Sequence, residues 1–212
     1  KYTQHQPKIV TIPVGSIDTL IGSSQGRKPF SLITASRLAK EKHIDWLVKA
    51  VIEARKALPE LTFDIYGSGG EDSLLREIIA NHQAEDYIQL KGHAELSQIY
   101  SQYEVYLTAS TSEGFGLTLM EAVGSGLPLI GFDVPYGNQT FIEDEQNGYL
   151  IPSSSDHVEN QIKQAFADKI CQLYQENRLE GMRTRSYQIA EDFLTKEVVE
   201  KWKKTVEEVL HD

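Results

Sequence analysis

The chain has 212 residues, 21 Lys and Arg against 31 Asp and Glu, and a single cysteine, Cys171. Chains of this size bury about 70% of their unfolded surface and can build an independent core, while one cysteine excludes a disulfide framework and a cysteine-based zinc site. The net charge of −10 argues against nucleic-acid binding, and no apolar run approaches the roughly 20 residues that span a bilayer.

No signal-peptide pattern opens the chain, and its first residue is Lys1 rather than Met, so a segment of something longer is expected. The charge is unevenly spread. Residues 1–66 carry 10 basic and 6 acidic groups, residues 67–169 carry 4 and 16, and residues 170–212 carry 7 and 9. An anionic ligand must be met in the basic first third or by backbone amides.

Residues 8–14 read as an extended lead-in, followed by a polar loop over 22–28. Short apolar runs then alternate with amphipathic stretches, the pattern of a parallel sheet covered by helices. Strands are expected at 30–35, 61–66, 87–91, 105–109 and 128–132, with a short sixth at 149–151. Helices are expected at 43–58, where Pro59 closes the run, at 71–82, as a short piece at 95–103, and at 117–123. From residue 156 the pattern is helical, over 156–177, 185–194 and 197–210, and in the last of these Val198, Trp202, Val206 and Val209 share one face. The reading is an α/β domain, a doubly wound Rossmann-like parallel sheet with a helical tail. It divides into a lead-in (1–28), a ligand-binding domain (29–184) and terminal helices (185–212).

Four motifs follow successive strands. In 110–126 (STSEGFGLTLMEAVGSG) a strand ends, a glycine-containing turn follows and a helix begins near Gly116. Helix starts present unpaired N–H groups that suit phosphate, and Gly114 and Gly116 let the backbone approach an anion. Glu113 and Glu121 flank this site. A carboxylate repels phosphate, so they suit sugar or ribose hydroxyls; equally, they read as a helix-start acid and a surface residue. Arg37, Lys40 and Lys42 follow the first core strand. Arg37 and Lys42 stand where cations could meet the same anion, or they are a solvated pair. The third motif, 66–70 (YGSGG), fails a dinucleotide fingerprint because position 72 is Asp72; a plain tight turn suits it. The fourth, Gly92-His93-Ala94, ends the third strand; a lone histidine is usually structural, but this one sits on the same rim. Together these features fit a nucleotide sugar, a diphosphate with a hydroxylated group at each end.

At these residues the sequence resembles the retaining glycosyltransferases of family 4, in their carboxyl-terminal, donor-binding half of a GT-B fold. The matching segments are 12–18 (IPVGSID), Ser36-Arg37-Leu38 with Lys42, 66–69, 90–92, Glu113-Gly114-Phe115-Gly116-Leu117 with Glu121, 126–128 and 147–150. One departure is His43, where the family commonly has glycine. The resemblance implies that Arg37, Lys42 and Glu113 are catalytic. Arg37 and Lys42 would hold the diphosphate with the amides of Gly116 and Leu117, and Glu113 would contact donor-sugar hydroxyls. Glu121 would take the ribose, and backbone at His93 and Ala94 the uracil. Gly15, Gly67, Gly114 and Phe115 would line the donor site.

Within the family, 32–51, 110–126 and 132–141 look closest to a branch that transfers N-acetylglucosamine from UDP-GlcNAc to Ser and Thr of serine-rich adhesins. The poly(glycerol-phosphate) glucosyltransferases of teichoic acid synthesis, which use UDP-glucose, share much of this pattern. The resemblance implies no cofactor and no metal, an absent amino-terminal acceptor domain, and a UDP-sugar donor. It also implies a serine-rich or teichoic acid acceptor, a non-catalytic partner subunit, and a cytoplasmic location with peripheral contact at the inner face of the membrane. A non-catalytic chaperone sibling would share the fold, but such siblings tend to lose the charged residues that Arg37, Lys42, Glu113 and Glu121 supply here.

Overall fold

The computed structural model describes residues 9–22, 26–153 and 159–211. Six strands form: β1 (Ser31–Ala35), β2 (Thr62–Tyr66), β3 (Ile88–Gly92), β4 (Val105–Thr108), β5 (Leu129–Asp133) and β6 (Gly148–Pro152). They pair in parallel in the order β3-β2-β1-β4-β5-β6. Every residue of β1 and β4 is buried, as expected where helices cover both faces and the strand cannot alternate apolar with polar.

The period-two geometry of a strand divides these residues between two cores. Leu32, Val105 and Leu107 face one side, where they meet α1 (Ile44–Ala54), α2 (Asp72–Asn81) and α5 (Glu159–Gln175). Ile33, Ala35 and Tyr106 face the other, against α3 (Leu117–Gly124), α4 (Gly137–Phe141) and α6 (Leu179–Glu191). The order of strands reverses between β1 and β4. The loops after those two strands therefore part at the sheet's carboxyl edge and leave a crevice, the place where open α/β sheets take ligands.

Several boundaries differ from the sequence reading. Helix α1 ends at Ala54, and residues 55–58 turn towards Pro59, whose ring disfavours helical backbone in the residue before it. The helix expected over 95–103 is a turn followed by a single 3-10 turn, Tyr100–Gln102; so short a segment forms little helix of its own. Helix α6 begins six residues before the expected 185 and runs across the 184/185 division. Its buried stripe, Met182, Ser186, Ile189 and Ala190, is masked in sequence by the intervening Arg183, Thr184 and Arg185. Helix α7 (Thr195–His211) buries Val198 and leaves Trp202, Val206 and Val209 exposed. Residue 8 of the lead-in, residues 23–25 of the polar loop and the expected helix start at 156–158 lie outside the described residues. Among those described, no helix is long and apolar enough to cross a membrane.

The lead-in is pinned rather than trailing. Ile17 N donates to Phe193 O at 2.9 Å, and Thr195 N donates to Ile17 O at 2.8 Å. Arg27, which reads as one more basic loop residue, closes this arrangement. Its guanidinium donates to the carbonyls of Tyr103 (2.7 Å), Ser125 (2.6 Å) and Ser101 (3.3 Å). Arg27→Ala would orphan these acceptors, each a loss of a hydrogen bond to a charged donor, and should lower stability by about 3 kcal/mol. Denaturant unfolding checks this; a change near zero would mean that water replaces the guanidinium.

Candidate active site

The crevice is built by four loops. After β1 the chain passes Ser36 and Arg37 and enters a 3-10 turn, Lys40–Lys42. His43, at φ 46°, ends that turn and starts α1. The turn holds Lys42 towards the loop after β4, where Thr111 N also reaches Glu41 O at 3.4 Å. The Lys42 ammonium donates to Glu113 Oε2 at 2.6 Å and to Ser110 Oγ at 3.1 Å. The Lys42 and Glu113 side chains are about one-sixth exposed, at 16% and 17%. Ser110 in turn donates to Ser112 O at 2.9 Å. An ammonium has three protons, so one of Lys42's remains for a ligand. Among the described residues, Glu113 Oε1 takes no hydrogen bond from the chain, and that oxygen can accept from a hydroxyl.

Glu113 is held from behind. Its carbonyl accepts from Tyr136 N (3.1 Å) and Gly137 N (3.0 Å), so these two residues brace it. The ring of Phe115 packs edge-on against Phe141 and lies 6.0 Å from Phe193. Phe115 thus anchors the loop and offers a ligand mainly its backbone. Gly116 adopts φ 86° and opens α3 with no side-chain cap, leaving the amides of the first turn, from Leu117 onward, unpaired and partly positive. Gly114 is exposed. Gly15 brings the lead-in onto this helix start; a Cβ there would lie 2.6 Å from Leu117 Cδ2.

A cavity of about 280 Å³ joins Ser36, Arg37, Gly67, His93, Ala94 and Thr118, among others. The second, third and fourth motifs and α3 thus meet in one place. Arg37 is well exposed at its mouth and pairs with Glu41 at 3.1 Å. Gly67 is no ordinary turn glycine, because a Cβ on it would fall 1.8 Å from the carbonyl oxygen of Ser36.

Glu121 lies outside that cavity, lining a neighbouring one of about 260 Å³ with Asp18, Gln98 and Tyr100. It accepts a hydrogen bond from Tyr100 at 3.2 Å. Burial raises its carboxyl above the usual range, the Tyr100 bond opposes the shift, and Glu95 adds to it. The folded state therefore holds the Glu121 proton to higher pH than the unfolded chain, whose value is near 4.5. This group's contribution to stability falls as pH rises through that window. Glu121→Gln should stabilise the chain at about pH 8 while changing little at about pH 4. Unfolding curves at the two pH values check this, and an equal effect at both would contradict it.

Sequence reasoning passed over Ser110, Tyr100, Tyr106 and Thr118. Ser110 lies inside the quoted motif, but its bond to Lys42 spans 68 positions. Nothing in the spacing of Tyr100 and Tyr106 shows where their hydroxyls point. No group of three or more His, Cys, Asp or Glu able to hold a metal occurs among the described residues.

The family profile described as Glycosyl transferases group 1 matches residues 29–176, which contain all four crevice loops. The chain belongs to the group 1 glycosyl transferases. The UDP-N-acetylglucosamine–peptide N-acetylglucosaminyltransferase GtfA subunit of Streptococcus pneumoniae is 92% identical over 212 residues, covering all of this chain and 42% of that protein. The crystal structure of the pneumococcal O-GlcNAc transferase GtfA in complex with UDP and GlcNAc matches with a TM-score of 0.93, at the same identity and coverage. A GtfA/B complex matches with a TM-score of 0.94 at 62% identity, again over 100% of this chain and 42% of that one. The chain therefore spans less than half the length of these relatives, and its fold is the Rossmann-like domain of GT-B enzymes.

Proposed function

We propose that this chain is the donor-binding half of a retaining, metal-independent N-acetylglucosaminyltransferase that moves GlcNAc from UDP-GlcNAc to Ser and Thr hydroxyls of a serine-rich protein. The observation that carries this reading is the Lys42–Ser110–Glu113 cluster set beside the open first turn of α3. It offers fixed positive charge and a carboxylate oxygen within one crevice. The near-identity to the pneumococcal GtfA subunit supports the choice of donor and acceptor.

In this mechanism the diphosphate lies over the α3 amides and accepts a hydrogen bond from the remaining N–H of Lys42, while Arg37 closes over it from the rim. Glu113 Oε1 accepts from donor-sugar hydroxyls. As the bond from the anomeric carbon to the phosphate oxygen breaks, negative charge grows on that phosphate. Donors already in place offset the charge without reorganising. The acceptor hydroxyl adds to the oxocarbenium-like sugar from the face the diphosphate leaves, and its proton passes to the departing phosphate oxygen, so configuration is retained.

A second, amino-terminal domain would hold the acceptor, for which the relatives' greater length leaves room. A non-catalytic partner subunit is proposed from the GtfA/B complex. The reading places the enzyme in the cytoplasm, where nucleotide sugars are made, with any membrane contact peripheral.

The test incubates the longer protein carrying this segment with a serine-rich peptide and either UDP-GlcNAc or UDP-glucose, read by mass spectrometry. Addition of N-acetylhexosamine to the peptide is the expected result. Transfer of glucose, or only to a polyol-phosphate acceptor, would replace this reading with the teichoic acid one. Binding of UDP to the 212-residue chain, measured by calorimetry, should be lost when Arg37→Ala and Lys42→Ala are combined.

A further inference from the structure

Lys42 ends a single 3-10 turn, Lys40–Lys42, that buries none of its own residues. So short a turn has little stability of its own, yet this one holds the ammonium within hydrogen-bond distance of Glu113 and Ser110. Something outside the turn must fix it. The next residue, His43, lies at φ 46° and ψ 43°, the left-handed region that a side chain opposes. Strain kept beside a reactive group is a sign that the placement of the group matters.

A ring contact meets that strain. The His43 imidazole stacks on Trp46, three positions on, with centroids 3.7 Å apart and planes 13° from parallel. Trp46 stands edge-on to Phe132 at 6.0 Å, and Phe132 stands edge-on to Phe166 of α5 at 5.2 Å. Phe132 is buried next to the last residue of β5. Burial lowers the His43 ring below its ordinary value, against the pull of Asp45 and Glu41. At neutral pH the ring therefore adds no second charge beside Lys42; what it supplies is a flat surface. Phe132 serves the Glu113 loop as well. Its carbonyl accepts from Asn138 Nδ2 at 2.8 Å, and Asn138 follows the two residues whose N–H groups hold the Glu113 carbonyl. Lys42 and Glu113 are thus both referred to the end of one strand.

We infer that His43 and Trp46 are positioning residues for Lys42, a ring stack that ties the placement of the ammonium to Phe132 at the end of β5. This rests on the donor-binding reading above, in which Lys42 meets the charge that grows on the departing phosphate. A glycine at position 43 would relax the backbone and lose the stack, so stability and turnover should part there.

The test measures transfer by the longer protein carrying this segment, with kcat and KM for UDP-GlcNAc taken separately and thermal unfolding alongside. His43→Gly should lower kcat about tenfold, less than the roughly hundredfold of a full ångström of misplacement, and leave KM within about twofold. Its melting temperature should hold or rise, because glycine takes the left-handed conformation without strain. Trp46→Leu, which keeps apolar bulk and loses the stack, should lower kcat by a similar factor. His43→Phe keeps a stacking ring and should keep turnover. In a Lys42→Met background His43→Gly should change the residual turnover no further, since the stack acts through the ammonium. Unchanged kcat in His43→Gly, equal loss in His43→Phe, or an undiminished loss in the Lys42→Met background overturns the assignment. Normal turnover by Lys42→Met alone would instead overturn the donor-binding reading, and this inference with it.

Discussion

Replacing Lys42 by Met should reduce GlcNAc transfer by the longer protein about a thousandfold, the size seen when a preorganised donor to a developing anion is removed. Its ammonium sits between Ser110 and Glu113, mostly enclosed, so neither water nor a neighbouring side chain easily takes its place. Lys42→Arg should not restore turnover, because a planar guanidinium cannot direct three protons to three separate partners as an ammonium does. Arg37 is exposed and paired with Glu41, so Arg37→Ala should cost only about tenfold, as expected for a charge acting through solvent.

The Lys42 variant has a second consequence that separates chemistry from folding. It strands the Glu113 carboxylate in a partly enclosed site without its cation, which should lower stability by about 2 kcal/mol. Adding Glu113→Gln removes that unpaired charge, so the double variant should recover most of the stability and none of the turnover. Thermal unfolding alongside a transfer assay reads the two effects together. Recovery of turnover in the double variant would show that Lys42 serves only to neutralise Glu113.

The sequence was most legible where burial is uniform. β1 and β4 are covered on both faces, so their residues form unbroken apolar runs that stand out from the flanking polar loops. Glu113 and Glu121 were placed around a helix start because both lie on one short segment, and α3 begins between them at Leu117; their roles came from the resemblance and not from the spacing. What escaped depends on contacts across long separations. The Lys42–Glu113 bond joins residues 71 positions apart, and the reading placed both at the crevice without pairing them. Arg27 carries three carbonyl bonds to residues 74 or more positions away and reads as solvated charge. Tyr106 sits in an apolar strand whose pattern accounts for its ring and says nothing of its hydroxyl.

Gly67 shows the same limit and gives the largest expected effect on the fold. Gly67→Ala should cost at least about 4 kcal/mol, in the range reserved for a named structural defect, and lower the melting temperature by about 12 °C for a chain of this size. Two causes add. The φ of 133° is a conformation that a side chain rarely adopts. The added Cβ would also fall 1.8 Å from the carbonyl oxygen of Ser36, a backbone atom that cannot rotate away. That carbonyl belongs to the loop after β1, whose position is set by Ser36 N on Tyr66 O at 3.1 Å and Leu38 N on Ser68 O at 3.0 Å. Gly67 N itself reaches Gly92 O at 2.8 Å, so relieving the clash disturbs the ends of β1, β2 and β3 together. UDP binding should fall with stability, since Arg37 and His93 stand on the displaced loops. Gly70→Ala is the control, because a Cβ there meets nothing within 4 Å, and its effect should stay within about 0.5 kcal/mol. Equal tolerance of the two substitutions would return residues 66–70 to the plain turn that their sequence suggests.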